Sequence, residues 1–188
     1  MKKTIIVIIL IIVSIALGYA YEQASLAWQK RQHPIPAEFE QYVMKYSGVY
    51  NVPPCIILSV MKAESSFRSH VVSPAGARGL MQIMPETFQW LQTKTGGNHE
   101  DGMLFDPRTN IRYGTFFLSY LYNIFADWDL TFAAYNAGHN RVRNQWLNNP
   151  EIVQNGKLIV AAIPIEETRN YVIRVNRNIE MYRKLYFS

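Results

Sequence analysis

The 188 residues are 49% hydrophobic, 13% aromatic and 18% charged, which fits one packed domain with a short appendage and excludes a disordered or collagen-like chain. A single cysteine excludes an internal disulfide framework and a zinc site of two or more thiolates. The net charge of +5 is scattered without a run of five like charges, so the bases read as solvated helix faces and not as a nucleic-acid stripe.

Residues 4–21 carry no charge and include nine consecutive aliphatics, 5–13, behind Lys2 and Lys3. Eighteen helical residues reach about 27 Å, close to a hydrocarbon core of about 30 Å. A segment with no polar face is a poor soluble helix, so residues 1–21 are expected to be a signal peptide or a membrane anchor. Gly18-Tyr19-Ala20 resembles a cleavage site, and the length suits a retained anchor, the reading we favour. Under either, the lysines stay cytoplasmic and the remainder is periplasmic or otherwise extracytoplasmic.

Residues 22–36 are polar with two prolines and read as a linker, leaving 37–188 as the main domain. Phe39, Tyr42, Val43 and Tyr46 recur at helical spacing, with a stop expected near Gly48. Pro53-Pro54 opens a second helix through Glu64, and a Gly- and Ser-containing loop follows over 65–79. Pro85 opens a third, stopped at Gly96-Gly97. Asp106-Pro107 reads as a cap and first turn for the stripe Ile111, Gly114, Phe117, Leu118, Leu121 and Phe125. Asp129 is expected to cap a helix ending at Gly138, and a last helix beyond Pro164 carries Tyr171, Val172, Val175, Ile179 and Tyr182. No strand-like alternation of useful length and no repeat is visible, so the domain is expected to be all-α.

Glu64 falls in register with Ile57, Val60 and Met61 at i, i+3, i+4 and i+7. Desolvation along that stripe raises a carboxyl pKa, and the negative C-terminal end of the helix pushes the same way. A carboxylic acid kept protonated near neutral pH is what general-acid cleavage of a glycosidic bond requires. From spacing alone, a frayed helix end whose Glu64 points to water stays open.

The surrounding blocks favour the acid. Glu64-Ser65-Ser66-Phe67, the stretch 73–85 (SPAGARGLMQIMP), Ala133-Ala134-Tyr135-Asn136-Ala137-Gly138 and Glu167-Thr168-Arg169-Asn170-Tyr171-Val172 follow in order over residues 39–183. The chain thereby resembles the soluble-lytic-transglycosylase (SLT) family of peptidoglycan-cleaving enzymes, which share the goose-type lysozyme fold. The resemblance implies that Glu64 is the single catalytic acid/base. It would protonate the oxygen between N-acetylmuramic acid and N-acetylglucosamine. As carboxylate it would then deprotonate the muramic C6 hydroxyl, which attacks C1 and leaves a 1,6-anhydro ring. The sugar's own acetamido group can stabilise the developing cation, so one protein carboxylate suffices.

The same resemblance implies lesser roles. Ser73 would bond the carboxyl or the sugar, although a Ser-Pro turn explains it equally. Gly76 and Gly79 would admit backbone close to the glycan. Gln82 and Met84 would line the groove, as an amide and a soft apolar wall. Tyr135 and Asn136 would line the cleft, Tyr135 bonding the carboxyl. Glu167 would lie beyond the reaction centre, unless it serves the helix dipole, and Tyr171 would flank the cleft. Arg169 receives no role. Two departures, Arg68-Ser69 for Asn-Pro and His139 for proline, leave loop shape and subsite preference open.

No cofactor is expected, and His33, His70, His99 and His139 lack metal-ligand spacing. The expected partners are peptidoglycan glycan strands and, if the leader is uncleaved, the inner membrane; nucleic acid is not among them. A link to secretion or division machinery stays open. So do a hydrolytic muramidase using the same acid and a non-catalytic wall-binding protein, although a binder has no need of Glu64.

Overall fold

The structure, a computed structural model, describes residues 2–187, apart from the Lys2 side chain; Met1 and Ser188, at the outer ends of the expected leader and main domain, lie outside the described residues. Two compact units are present, one reaching Ile35 and the other Pro36–Phe187.

The first unit is a single helix, α1 (Lys2–Gln32). Its stretch Lys3–Gln32 is long and apolar enough to cross a membrane. Helix extends well into the segment expected as a linker. Ala24, Leu26, Ala27, Gln29 and Lys30 are good helix formers, and the first residue that stops a helix is Pro34.

The second unit is all-α, as its periodicities predict. The helix α2 (Ala37–Tyr50) buries Phe39, Val43 and Tyr46. It runs past Gly48 and stops at Asn51, whose left-handed φ of 54° supplies the C-cap that Gly48 was expected to give. The next helix, α3 (Pro54–Ser65), has proline in its first turn. It is buried on every face from Cys55 to Met61, which marks it as the central helix. Burying Ile57, Val60 and Met61 completely contributes about 1.5–3 kcal/mol each.

The helix α4 (Pro85–Thr95) ends at Gly96, and a 3-10 turn at Asp101–Phe105 leads to α5 (Pro107–Phe125). The Asp106 carboxylate accepts from the Thr109 N–H at 2.8 Å, the predicted cap, and the whole predicted stripe of α5 is buried. The helix α6 (Trp128–Ala137) is capped by Asp127, which accepts from the Leu130 N–H at 2.9 Å. This corrects the expectation for Asp129. Two residues further in, within the first turn, Asp129 accepts from the Asn176 amide at 2.6 Å.

After the short α7 (His139–Arg141) and one π turn comes a hairpin, β1 (Val153–Gln154) and β2 (Lys157–Leu158), turning through Asn155 and Gly156 at φ 52° and 74°. The long α8 (Glu166–Tyr186) closes the unit with a buried stripe that includes Tyr171, Val172, Val175, Ile179 and Tyr182. Here α3 packs chiefly on α8, α5 joins α2 to α6, and α6 packs on α8. The Asn178 amide donates to the Ser59 carbonyl at 3.3 Å, tying α8 to α3. The C-terminus of α3 and the N-terminus of α8 therefore belong to one packed seam.

Candidate active site

Glu64 stands in the last turn of α3, where burial of its carboxyl raises the pKa from 4.5 to about 7. Three neighbours act on the same group. The Tyr171 hydroxyl and the charge of Arg174 lower its pKa, and the charge of Glu167 raises it; desolvation prevails. All three come from the first turns of α8. The residue as a whole keeps some solvent exposure while its carboxyl is desolvated, so a large share of the acid stays protonated near neutrality.

Tyr171 is 1% exposed, and its hydroxyl reaches the carboxyl without attaining the geometry of a full hydrogen bond. Burial and the nearby Glu64 push its own pKa far up, so it stays a phenol with a proton to offer. The Arg174 guanidinium lies 5.7 Å over the Tyr171 ring. Neither periodicity nor the motif blocks singled out Arg174; its register, three residues after Tyr171 on one helix, was the available signal.

A loop frame faces these groups. At its base the Ser65 hydroxyl lies 2.8 Å from the Leu80 carbonyl and 3.1 Å from that of Met61, so its proton is shared where α3 meets the loop. Short bridges pair Arg78 with Val72 and with Ile83. Asn110, fully buried on α5, holds the frame from behind. Its side-chain oxygen accepts from the Met81 N–H at 2.8 Å, and its amide donates to the Arg78 and Leu104 carbonyls at 3.0 and 2.8 Å. All three partners are main-chain atoms, so every strong hydrogen-bonding group of Asn110 is used. Sequence reasoning missed this residue, because its partners lie 6, 29 and 32 positions away.

Several expected roles change in this frame. Tyr135 does not bond the carboxyl: its hydroxyl donates to the Met81 carbonyl at 2.8 Å, although the ring stays close enough to Glu64 to feel its charge. The tyrosine that serves the acid directly is Tyr171. Ser73 matches the turn reading, its hydroxyl accepting from the Ala77 N–H at 3.0 Å. Gly79 is required from behind. Its φ is +77°, and a Cβ there would collide with the Leu104 carbonyl and the Asn110 amide. Gly76, at φ +93°, has open space around it. Gln82 spends both amide protons on the Val71 and Gly79 carbonyls, at 3.1 and 2.9 Å, so it offers the cleft only an acceptor oxygen. The Asn136 side-chain oxygen accepts from the Thr168 hydroxyl at 2.7 Å, joining α6 to α8. Glu167 is exposed on the first turn of α8.

Gln82, Met84, Thr87, Phe117 and Tyr135 line a small chamber of about 50 Å³. Through Thr87 and Phe117 it adjoins a larger one of about 360 Å³, walled by Glu86, Trp90, His139 and Asn140. His139, one of the two departures, stacks on Trp90 at 5.9 Å. Asp106 and Asp127 are committed to helix caps, and Asp129 to Asn176. Glu167 is the acid whose charge reaches Glu64.

A proton on Glu64 must be present for it to act as an acid, so activity is expected to fall as pH rises through about 7. Arg174→Ala removes a charge that favours the carboxylate, so the falling limb moves to higher pH. Glu167→Gln removes one that disfavours it, so the limb moves lower. Both residues are exposed, so each shift is expected to be only a few tenths of a pH unit and to shrink in high salt. A pH–rate profile of each variant checks the signs.

A family model described as the transglycosylase SLT domain matches residues 41–155. The chain is 35% identical over 167 residues to the soluble lytic murein transglycosylase of Escherichia coli (strain K12), covering 86% of this chain and 26% of that protein. It is 30% identical over 164 residues to the membrane-bound lytic murein transglycosylase C of Glaesserella parasuis, covering 76% and 45%. Among solved structures, the 70 kDa soluble lytic transglycosylase from Escherichia coli superposes with a TM-score of 0.74 at 33% identity, over 83% of this chain and 25% of that one. The chain thus spans about a quarter of the length of the soluble relatives it matches, and the expected lysozyme-like all-α class is the one found.

Proposed function

The chain belongs to the transglycosylase SLT family, and from that premise we propose that it is a lytic transglycosylase of peptidoglycan with Glu64 as its single acid/base. The observation that carries this reading is the Glu64 carboxyl, desolvated to a pKa of about 7 beside the buried Tyr171 hydroxyl. Glu64 donates its proton to the oxygen between N-acetylmuramic acid and N-acetylglucosamine as the bond to C1 breaks. The resulting carboxylate takes the proton of the muramic C6 hydroxyl, whose oxygen attacks C1. The products are a free 4-hydroxyl on the departing sugar and a 1,6-anhydro ring, with no water consumed. Attack from within the same sugar avoids the entropy cost of recruiting a nucleophile.

Within the cleft, Tyr171 steadies the carboxylate formed in the first step. Gln82 presents its oxygen to N–H or O–H groups of the glycan, Met84 supplies an apolar wall, and Tyr135 and Asn136 hold the far side. Ser73 and Glu167 stand at the edges. Two features support envelope placement: α1, apolar enough to span a bilayer, and the similarity to a membrane-bound relative. We place the domain outside the inner membrane with α1 as its anchor, a reading that N-terminal sequencing of the mature protein checks.

The decisive measurement is mass spectrometry of isolated sacculi digested with the full chain. Ends lighter by one water than reducing ends are expected. Reducing ends would make the protein a hydrolytic muramidase, and intact strands would make it a non-catalytic wall binder.

A further inference from the structure

A separate cavity of about 370 Å³ lies between α2, the 3-10 turn and the start of α5, and shares no lining residue with the chambers beside Tyr135 and Trp90. Its walls hold two guanidinium groups one helical turn apart, Arg108 and Arg112. Each donates its Nε to a phenol of α2 at 3.4 Å, Arg108 to Tyr46 and Arg112 to Tyr50. Tyr46 is only 5% exposed, which fixes the acceptor of Arg108, and Arg112 also lies 5.3 Å over the Tyr113 ring. Their terminal nitrogens bond to none of the described residues.

His99 borders the same space and is fixed just as firmly. The Gln92 amide donates to its carbonyl at 3.1 Å, its N–H donates to the Gln92 side-chain oxygen, and its ring packs against Phe88 and Tyr113. One carboxylate, Asp106, lines the cavity and is close enough for its charge to reach Arg108. Its Oδ2 accepts from the Thr109 N–H, and it makes no ion pair with either arginine. Lys45 adds charge nearby, its ammonium 5.7 Å over the ring of Tyr46, itself one of the lining residues. The lining thus holds two guanidinium groups and an imidazole against one carboxylate.

Planar N–H forks are the groups that grip oxyanions in pairs. Two guanidinium groups of α5 and the imidazole of the 99-loop border one cavity, more donors than the two oxygens of a single carboxylate can use and a number the oxygens of a phosphate can accept. We propose that this pocket is a binding site for a phosphate-bearing group, gripped by Arg108 and Arg112 with His99 at its edge. The volume admits a phosphate with a small organic substituent. Two sources share this chemistry, soluble phosphate esters and phospholipid headgroups.

Calorimetric titration of the full chain, held in a neutral detergent at low salt, tests the site with three probes: inorganic phosphate, the diester headgroup glycerophosphoglycerol, and acetate. Phosphate is expected to bind, acetate at least tenfold more weakly, and Arg108→Ala or Arg112→Gln to weaken phosphate at least tenfold. Arg108 is exposed, so its variant should melt as the wild type does. Glycerophosphoglycerol binding that is lost in the same variants upholds the site with a lipid source; phosphate binding without it upholds the site with a soluble one. Equal phosphate affinity in wild type and both variants, or acetate binding as tightly as phosphate, overturns the proposal.

Discussion

Glu64→Gln is expected to reduce release of soluble muropeptides from sacculi by at least about 10³-fold while leaving the fold intact. Glutamine keeps the volume and a hydrogen-bonding face toward Tyr171, but has no proton acidic enough for the glycosidic oxygen and no charge with which to recover one. Stability should move the opposite way. The carboxyl has a folded pKa of about 7 against 4.5 when unperturbed, so folding favours its protonated form. Its contribution is therefore full below pH 4.5 and is lost as pH rises through 7. Glutamine cannot ionise, so the variant should match the wild type at pH 4 and exceed it by about 1–3 kcal/mol at pH 8. Denaturant unfolding at the two pH values checks this. A variant that cleaves at the wild-type rate removes Glu64 from the mechanism. One that is less stable at pH 8 removes the desolvation argument.

Asn110→Ala is expected to be the most damaging change outside the cleft. It deletes three buried hydrogen bonds at once and strands the Met81 N–H and the Leu104 carbonyl without partners, while the Arg78 carbonyl keeps only the Ile83 N–H at 3.1 Å. At about 1–3 kcal/mol for each buried group left unsatisfied, partly relieved by relaxation, the loss should be about 3–5 kcal/mol, or a melting point lower by about 10 °C. Asn110→Asp should be no milder, because it keeps the acceptor for Met81 and turns a carboxylate toward two carbonyls. Activity should fall with either change even where the protein remains folded, since Met81 is also the residue that receives the Tyr135 hydroxyl. A melting-point loss under about 2 °C would show that the frame holds without Asn110.

Legibility in the sequence followed the range of the interaction. The helices were readable because each is marked by its own neighbours: the Asp106-Pro107 start, the α5 stripe and the Gly96 stop all lie within a few residues of what they determine. Errors fell where two local signals compete. Gly48 and Asn51 both suit a C-cap, as Asp127 and Asp129 both suit an N-cap, and only the whole fold selects between them. The hairpin at 153–158 is too short to show alternation, and its Asn-Gly turn was its one mark. Glu64 stood out because a carboxylate in an apolar register is anomalous on its own helix. The partners of that carboxylate were harder to see. Which of Tyr135 and Tyr171 meets it depends on how α6 and α8 pack against α3, and spacing along either helix is silent on this.

The ties that shape the cleft loop end on peptide atoms. Asn110, Tyr135, Ser65 and the Gln82 amide all bond carbonyls or an N–H of residues 71–81 or of their immediate surroundings, and none bonds a side chain displayed there. The contour is thus independent of the identities it carries at positions such as Val72, Ala75 and Ala77. A lineage could therefore exchange those amino acids to suit walls of different chemistry and keep its acid where it stands.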